Sequence, residues 1–232
     1  MINTQEIPKL VQEYRVEHRK QIPAYYNPIL HILFSFTSLL TFTVFPLLLI
    51  KNPSIKDFLP VPIFLIGGNF MVYLIHRYPL HRDYRIFKYP YRAHTLLHHR
   101  FYIHNAMEPE QWLDYHMVLF PPIVVGSFCV IGAPLIGAIF AYFGGVNLGL
   151  VAGSMSAFYF LLYETTHYLY HVRLNHPIFK IKLLRTLRDH HTIHHDPTIM
   201  AEKNFNIVFP LFDFIFRTQL RKKDWKESNL IR

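Results

Sequence analysis

Fourteen of the sixteen histidines lie between residues 76 and 195, and eleven of those fall in tight groups. They stand as His76-x4-His81, His94-x3-His98-His99, His167-x3-His171 and His190-His191-x2-His194-His195. Neutral imidazole suits iron, zinc, copper and nickel, whereas magnesium and calcium take oxygen. Residues three or four apart share a helical face. His94 with His98, His167 with His171, and His191 with His194 and His195 are therefore expected to converge. The adjacent pairs His98-His99 and His194-His195 diverge by about a hundred degrees on a helix, as serving two neighbouring ions requires. His76 and His81 are five apart with Pro79 between them, so the helix is expected to end there and the chain to fold back. One ion takes about four to six donors, so these groups imply two metals.

The remaining histidines carry less. His18, His31 and His176 read as ordinary polar side chains. His104 and His116 flank a loop with Glu108, Glu110 and Asp114, and their role stays open. Cys129 is the single cysteine, which excludes an intramolecular disulfide, a zinc–thiolate site and a Cys-ligated iron–sulfur cluster.

Elements must bring these groups together. The chain has 232 residues, 51% of them hydrophobic and only 17% charged, with mean hydropathy +0.15, which excludes a disordered polymer. Four runs near 29–50, 59–75, 117–143 and 146–163 hold no charged residue, and each is long enough to span a bilayer as a helix. The third contains Pro121, Pro122 and Pro134, so it is expected to kink or start late. The fold class is all-α: an integral membrane protein with about four transmembrane helices and a histidine-rich helical cap. Residues 1–28, polar and mixed in charge without a signal-peptide pattern, form an N-terminal arm, and 29–232 one membrane-embedded domain.

Only Lys51 and Lys56 fall in segments on the far side of the membrane from the N-terminus; the other twenty-two Lys and Arg lie on the N-terminal side. The positive-inside rule places both termini and the histidine segments in the cytoplasm. The net charge of +9 is then explained by anionic headgroups and needs no nucleic acid. Ile178–Arg188, mixing apolar and basic residues, reads as a helix on the membrane surface. Compartment depends on source: a bacterial inner membrane or the endoplasmic reticulum.

With the histidines and spans in this order, the sequence resembles the fatty acid hydroxylase/sterol desaturase superfamily of integral-membrane enzymes. Its boxes HX3–4H, HX2–3HH and HX2–3HH stand here as HRYPLH (76–81), HTLLHH (94–99) and HTIHH (191–195). ETTHYLYH (164–171) is similar to the family's extra histidine pair, and NFNIVFPLFDFIFRT (204–218) to its tail. The resemblance covers roughly residues 60–218, and HTLLHH, LFPP (119–122) and THYLYH look most similar to fatty acid 2-hydroxylases. The loop from Phe101 to His116 is longer than that branch leads one to expect.

The resemblance implies ten metal ligands: His76, His81, His94, His98, His99, His167, His171, His191, His194 and His195. His190 would be an additional histidine beside them, although His190 with His194 is an alternative pairing. Glu164, Asp189 and Asp196 are candidates to accept the second ring N–H of ligating imidazoles. The implied cofactors are two iron ions, with zinc able to replace them on purification, and O2 as co-substrate. The implied reaction is hydroxylation of a lipid acyl chain in lipid biosynthesis, by a monooxygenase. Alternatives are a sterol or carotenoid hydroxylase or desaturase of the same fold, or a metal transporter. Transport would call for ionisable ligands inside the spans, where only His31 and Cys129 stand. No GxGxxG, CxxCH or cysteine cluster is present, so electrons must come from a separate partner, a cytochrome b5-like protein or a ferredoxin with its reductase.

Overall fold

A computed structural model describes residues 7–229, and every element in that range is helical. Residues 1–6 of the N-terminal arm lie outside it. Four helical segments are long and apolar enough to cross a membrane: Pro28–Leu48, Ile55–Leu80, Pro122–Gly144 and Val146–His171. The third starts at Pro122, not 117, because Pro121 adopts an extended backbone and Pro122, lacking an N–H, opens the helix. The fourth runs beyond 163 through the THYLYH stretch.

The chain forms two units. One comprises Asn27–Met71 and Leu119–Thr166 and carries most of the spans. Its first helix, α2 (Pro28–Leu48), follows α1 (Lys9–Arg19) of the other unit. Asn27 caps α2 by accepting from the backbone N–H groups of Ile29 and Leu30 at 2.9 and 3.1 Å. The helix α3 (Pro60–Ile75) completes the first half of the unit up to Met71. Leu39, Val125 and Cys129 form a buried core, with Phe42, Phe128 and Phe160 packed on it. Large apolar side chains such as Leu40, Ile66 and Leu135 are exposed, as lipid-facing residues of a membrane protein are.

The Pro122–Gly144 helix, α4, turns directly into α5 (Val146–His171) through Gly145, whose φ of 91° suits glycine. The two helices then run in close contact at Gly137 and Gly149. A Cβ on Gly149 would lie 2.5 Å from the Gly137 carbonyl oxygen, and one on Gly137 3.0 Å from that of Gly149. Small residues allow such an approach, and dispersion between backbones replaces a hydrophobic drive that lipid cannot supply. Gly149→Val is expected to destabilise the detergent-solubilised protein by about 1–3 kcal/mol. Gly67→Ala, which meets nothing within 4 Å, should be neutral. Thermal unfolding of both variants checks the contrast, and equal midpoints would refute the close-approach argument.

The other unit comprises the N-terminal residues up to Tyr26, Val72–Val118 and His167–Arg232. It contains α1, two π-helical turns at His76–Leu80 and Arg92–His98, the loop following Phe101, the end of α5, and α6 (Lys182–His194). The apolar positions Leu187 and Ile193 of α6 are buried together with His190, His191 and His194, while Ile181 and Leu183 at its start are exposed. Every histidine of the sequence groups belongs to this second unit.

Candidate metal centre

The chain does not fold back at Pro79. It continues through a π turn over His76–Leu80 that ends at His81. A π turn bonds residues five apart, so it carries the residue five positions on back towards the starting face. His76 and His81 meet in this way, with ring centroids 5.0 Å apart. The same device corrects the i,i+4 expectation at the next box. His94, within the π turn Arg92–His98, lies with His99 and not with His98: the Nε2 atoms of His94 and His99 are 3.0 Å apart. On the ordinary α-helical end of α5, His167 and His171 do stay together. At the end of α6, His191 pairs with His195 at 3.0 Å, whereas His194 faces the other way.

Ten histidines are thereby gathered into two groups of five: His76, His81, His94, His99 and His194, and His98, His167, His171, His191 and His195. Within each group one ring nitrogen per residue lies within 4.8 Å of the others. All ten are buried, His94 being the most exposed at 9%. Each adjacent pair, His98-His99 and His194-His195, contributes one member to each group.

The outward nitrogens settle the chemistry of the inward ones. Nδ1 of His76 bonds the Phe205 carbonyl at 2.5 Å, and Nδ1 of His194 bonds that of Lys203 at 2.9 Å. In the second group, Nδ1 of His98, His171 and His195 reach the carbonyls of Met117, Met107 and Tyr102 at 2.6, 2.8 and 2.6 Å. A carbonyl only accepts, so each Nδ1 carries the proton and each Nε2 presents a lone pair. His81 follows by one more step. The Thr95 hydroxyl donates to the Leu80 carbonyl at 2.6 Å, so its oxygen accepts from His81 Nδ1 at 3.1 Å.

Lone pairs then face lone pairs. Nε2 of His81 and His194 are 3.0 Å apart, and Nε2 of His98 and His195 3.3 Å, with no proton on any of the four. Such a cluster needs a cation. Protons do not supply it at neutral pH: burial, then repulsion among neighbouring imidazoles, holds His81, His99, His191 and His195 well below the usual imidazole range. Burial pushes His98 down to about 4, against the opposing bond to Met117. A metal fits instead, since nitrogens at about 2.0–2.1 Å from one ion lie about 3 Å from each other. The donor set, ten neutral imidazoles without thiolate, suits iron, zinc or copper in preference to hard cations.

The remaining candidates lie elsewhere. His190 does not join either group; its Nε2 is 3.1 Å from Asp213 Oδ2. Asp213 in turn accepts from the backbone N–H groups of Phe205 and Asn206, so this pair supports the segment whose carbonyl orients His76. The role expected of Glu164, Asp189 and Asp196 falls to backbone carbonyls. Glu164 accepts from the Phe120 N–H, Asp189 pairs with Lys222, and Asp196 accepts from Thr198 and the Trp225 indole. His104 packs on Trp225 and His116 on Tyr26, both outside the two groups. His31 meets the Phe120 carbonyl, and His176 accepts from the Ile178 N–H.

Thr95 and Asp213 escape a reading of histidine spacing, although Asp213 lies in the quoted tail. The long Phe101–His116 loop acquires a purpose: together with Met117 it supplies the carbonyls that orient three histidines of the second group. A family model described as fatty acid hydroxylase matches residues 61–218. No curated protein and no solved structure matches the chain.

Proposed function

The chain belongs to the fatty acid hydroxylase family, and from that premise we propose that it is a membrane-bound di-iron monooxygenase that hydroxylates a lipid acyl chain with O2. The observation that carries this reading is the pair of buried five-histidine groups, in which six fixed tautomers turn lone pairs inward. His76, His81, His94, His99 and His194 would hold one ion, and His98, His167, His171, His191 and His195 the other. The bound metals would supply O2 activation and oxidation of an unactivated C–H bond, for which acid–base side chains have no acidic proton to remove.

The chain's own residues do the rest. The Nδ1–H bonds to Phe205, Lys203, Met107, Met117 and Tyr102 hold the rings at set angles, so that ligand atoms need not reorganise. Burial of the ten rings excludes bulk water and strengthens each electrostatic interaction among them. Balance requires O2, two electrons and two protons for each C–H converted to C–OH, with water as the second product. The electrons come from a separate haem or iron–sulfur donor, and both termini face the cytoplasm, where such a donor resides.

Metal analysis of the detergent-purified protein tests the reading, combined with lipid analysis of a host expressing it. About two irons per chain and accumulation of hydroxylated acyl chains support it. Hydroxylated sterols in place of acyl chains would redirect the substrate assignment. Absence of tightly bound metal after anaerobic iron loading would overturn it.

A further inference from the structure

α1 carries a buried cation that metal ligation alone does not call for. Arg15 has no exposed surface, and withdrawing a guanidinium from water costs several kcal/mol unless its donors are used. Its Nε donates to the Phe101 carbonyl at 2.9 Å and its Nη2 to the Ala106 carbonyl at 2.6 Å. Nη1 lies 3.3 Å from Glu110, and the guanidinium sits 5.1 and 5.2 Å from the ring centroids of Phe101 and Tyr102. These two carbonyls are one residue before those of Tyr102 and Met107, which accept from His195 and His171. Consecutive carbonyls lie in adjacent planar peptides that meet at one Cα, so with the first anchored only the φ and ψ of the intervening residue are left to set the direction of the next.

We propose that Arg15 is a positioning residue for the second histidine group. Its rigid fork sets the separation between the two ends of the 101–106 turn, and through the Tyr102 and Met107 carbonyls it sets the ring angles of His195 and His171. His194, His76 and His81 of the first group take their acceptors from Lys203, Phe205 and Thr95, none of which Arg15 holds. One turn along α1, Arg19 binds Asp114 at 2.7 and 2.8 Å and Glu110 at 2.6 Å, which anchors the helix at the far end of the loop. The N-terminal helix thus tunes one metal position and leaves the other alone. This inference rests on the di-metal reading above.

Arg15→Lys is the informative variant. It keeps the charge beside Glu110, and with it the fold, but an ammonium cannot span two carbonyls as a planar fork does. The full-length chain in detergent is loaded anaerobically with ferrous iron, and iron is withdrawn by a competing chelator. In a His94→Ala background, which disables the first group, Arg15→Lys should weaken the remaining iron by about 10-fold or more, the usual effect of losing an outer partner. In a His191→Ala background, which disables the second group, it should change nothing. In the otherwise intact chain, release of one iron of the two should accelerate. Equal weakening in both backgrounds would mean that Arg15 acts on the fold as a whole, and no weakening in either would mean that it does not act on the metal site; each overturns the proposal. If the unsubstituted chain binds no iron, the metal reading itself falls and takes this inference with it.

Discussion

Replacing His195 alone by alanine should leave about one metal per chain and abolish turnover, and replacing His194 alone should do the same at the other position. The two residues are neighbours at the end of α6, yet they belong to different groups. His194 stands 3.0 Å from His81, and His195 stands 3.0 Å from His191 and 3.3 Å from His98. Each substitution removes one of five donors and uncovers lone pairs that its ring no longer helps a cation to bridge. Members of one catalytic unit are strongly non-additive. The single variants should therefore lose activity as completely as the double variant, on the order of 10⁴-fold. Metal content separates them: about one ion in each single variant and none in the double. If either single variant released both ions or neither, the division into two groups of five would be wrong.

Asp213→Ala should cost about 3–5 kcal/mol, the scale on which breaking a buried charged network destabilises. The carboxylate has no exposed surface. It accepts from the N–H groups of Phe205 and Asn206 at 2.8 and 2.7 Å, from the Thr218 hydroxyl at 2.7 Å and from His190 at 3.1 Å. Alanine would leave those buried donors unpaired, at about 1–3 kcal/mol each before relaxation. It would also free the segment whose Phe205 and Lys203 carbonyls orient His76 and His194. Metal loss should consequently fall on the first group. Equilibrium unfolding in detergent and metal analysis of the same samples read both effects, and a variant as stable as the parent would refute the network.

The acid limb of stability gives a further check on Asp213. Burial alone would raise its carboxyl, but the bond and charge of His190, with the Thr218 and Asn206 donors, outweigh burial and hold it below the ordinary carboxylate value. A depressed folded pKa means that the stabilisation is fully present above the unfolded value of about 3.9 and is lost as pH falls through the lower folded value. The carboxylate's share of the difference between parent and Asp213→Ala should hold at neutral pH and shrink only below about pH 4. A difference lost already at pH 6 would assign the stabilisation to another group.

Much of this protein is legible in local sequence. Spans follow from charge-free runs because a bilayer core tests each segment for apolar length, one segment at a time. The set of histidines is legible because imidazole is a rare side chain and four clusters of it stand out. Proline marks the start of α4 at Pro122, since a missing N–H acts within one turn.

The division of those histidines was settled only in three dimensions. Spacing arithmetic assumes α-helical turns, and at His76–Leu80 and Arg92–His98 the chain adopts π turns that join His76 with His81 and His94 with His99. Whether a turn closes with four residues or five is decided by what packs around it, and residue identities one turn away do not record that. The orienting groups are hidden for a related reason: a backbone carbonyl is the same atom at every residue, so nothing in the letters marks Tyr102, Met107 or Phe205 as an acceptor. Arg15 lies 86 and 91 positions from the carbonyls it holds. Residue types and apolar run lengths determined which side chains were available and which segments are long and apolar enough to span a membrane, because both are local properties. Tertiary packing decided which lone pairs face which, because that depends on contacts between segments far apart in the chain.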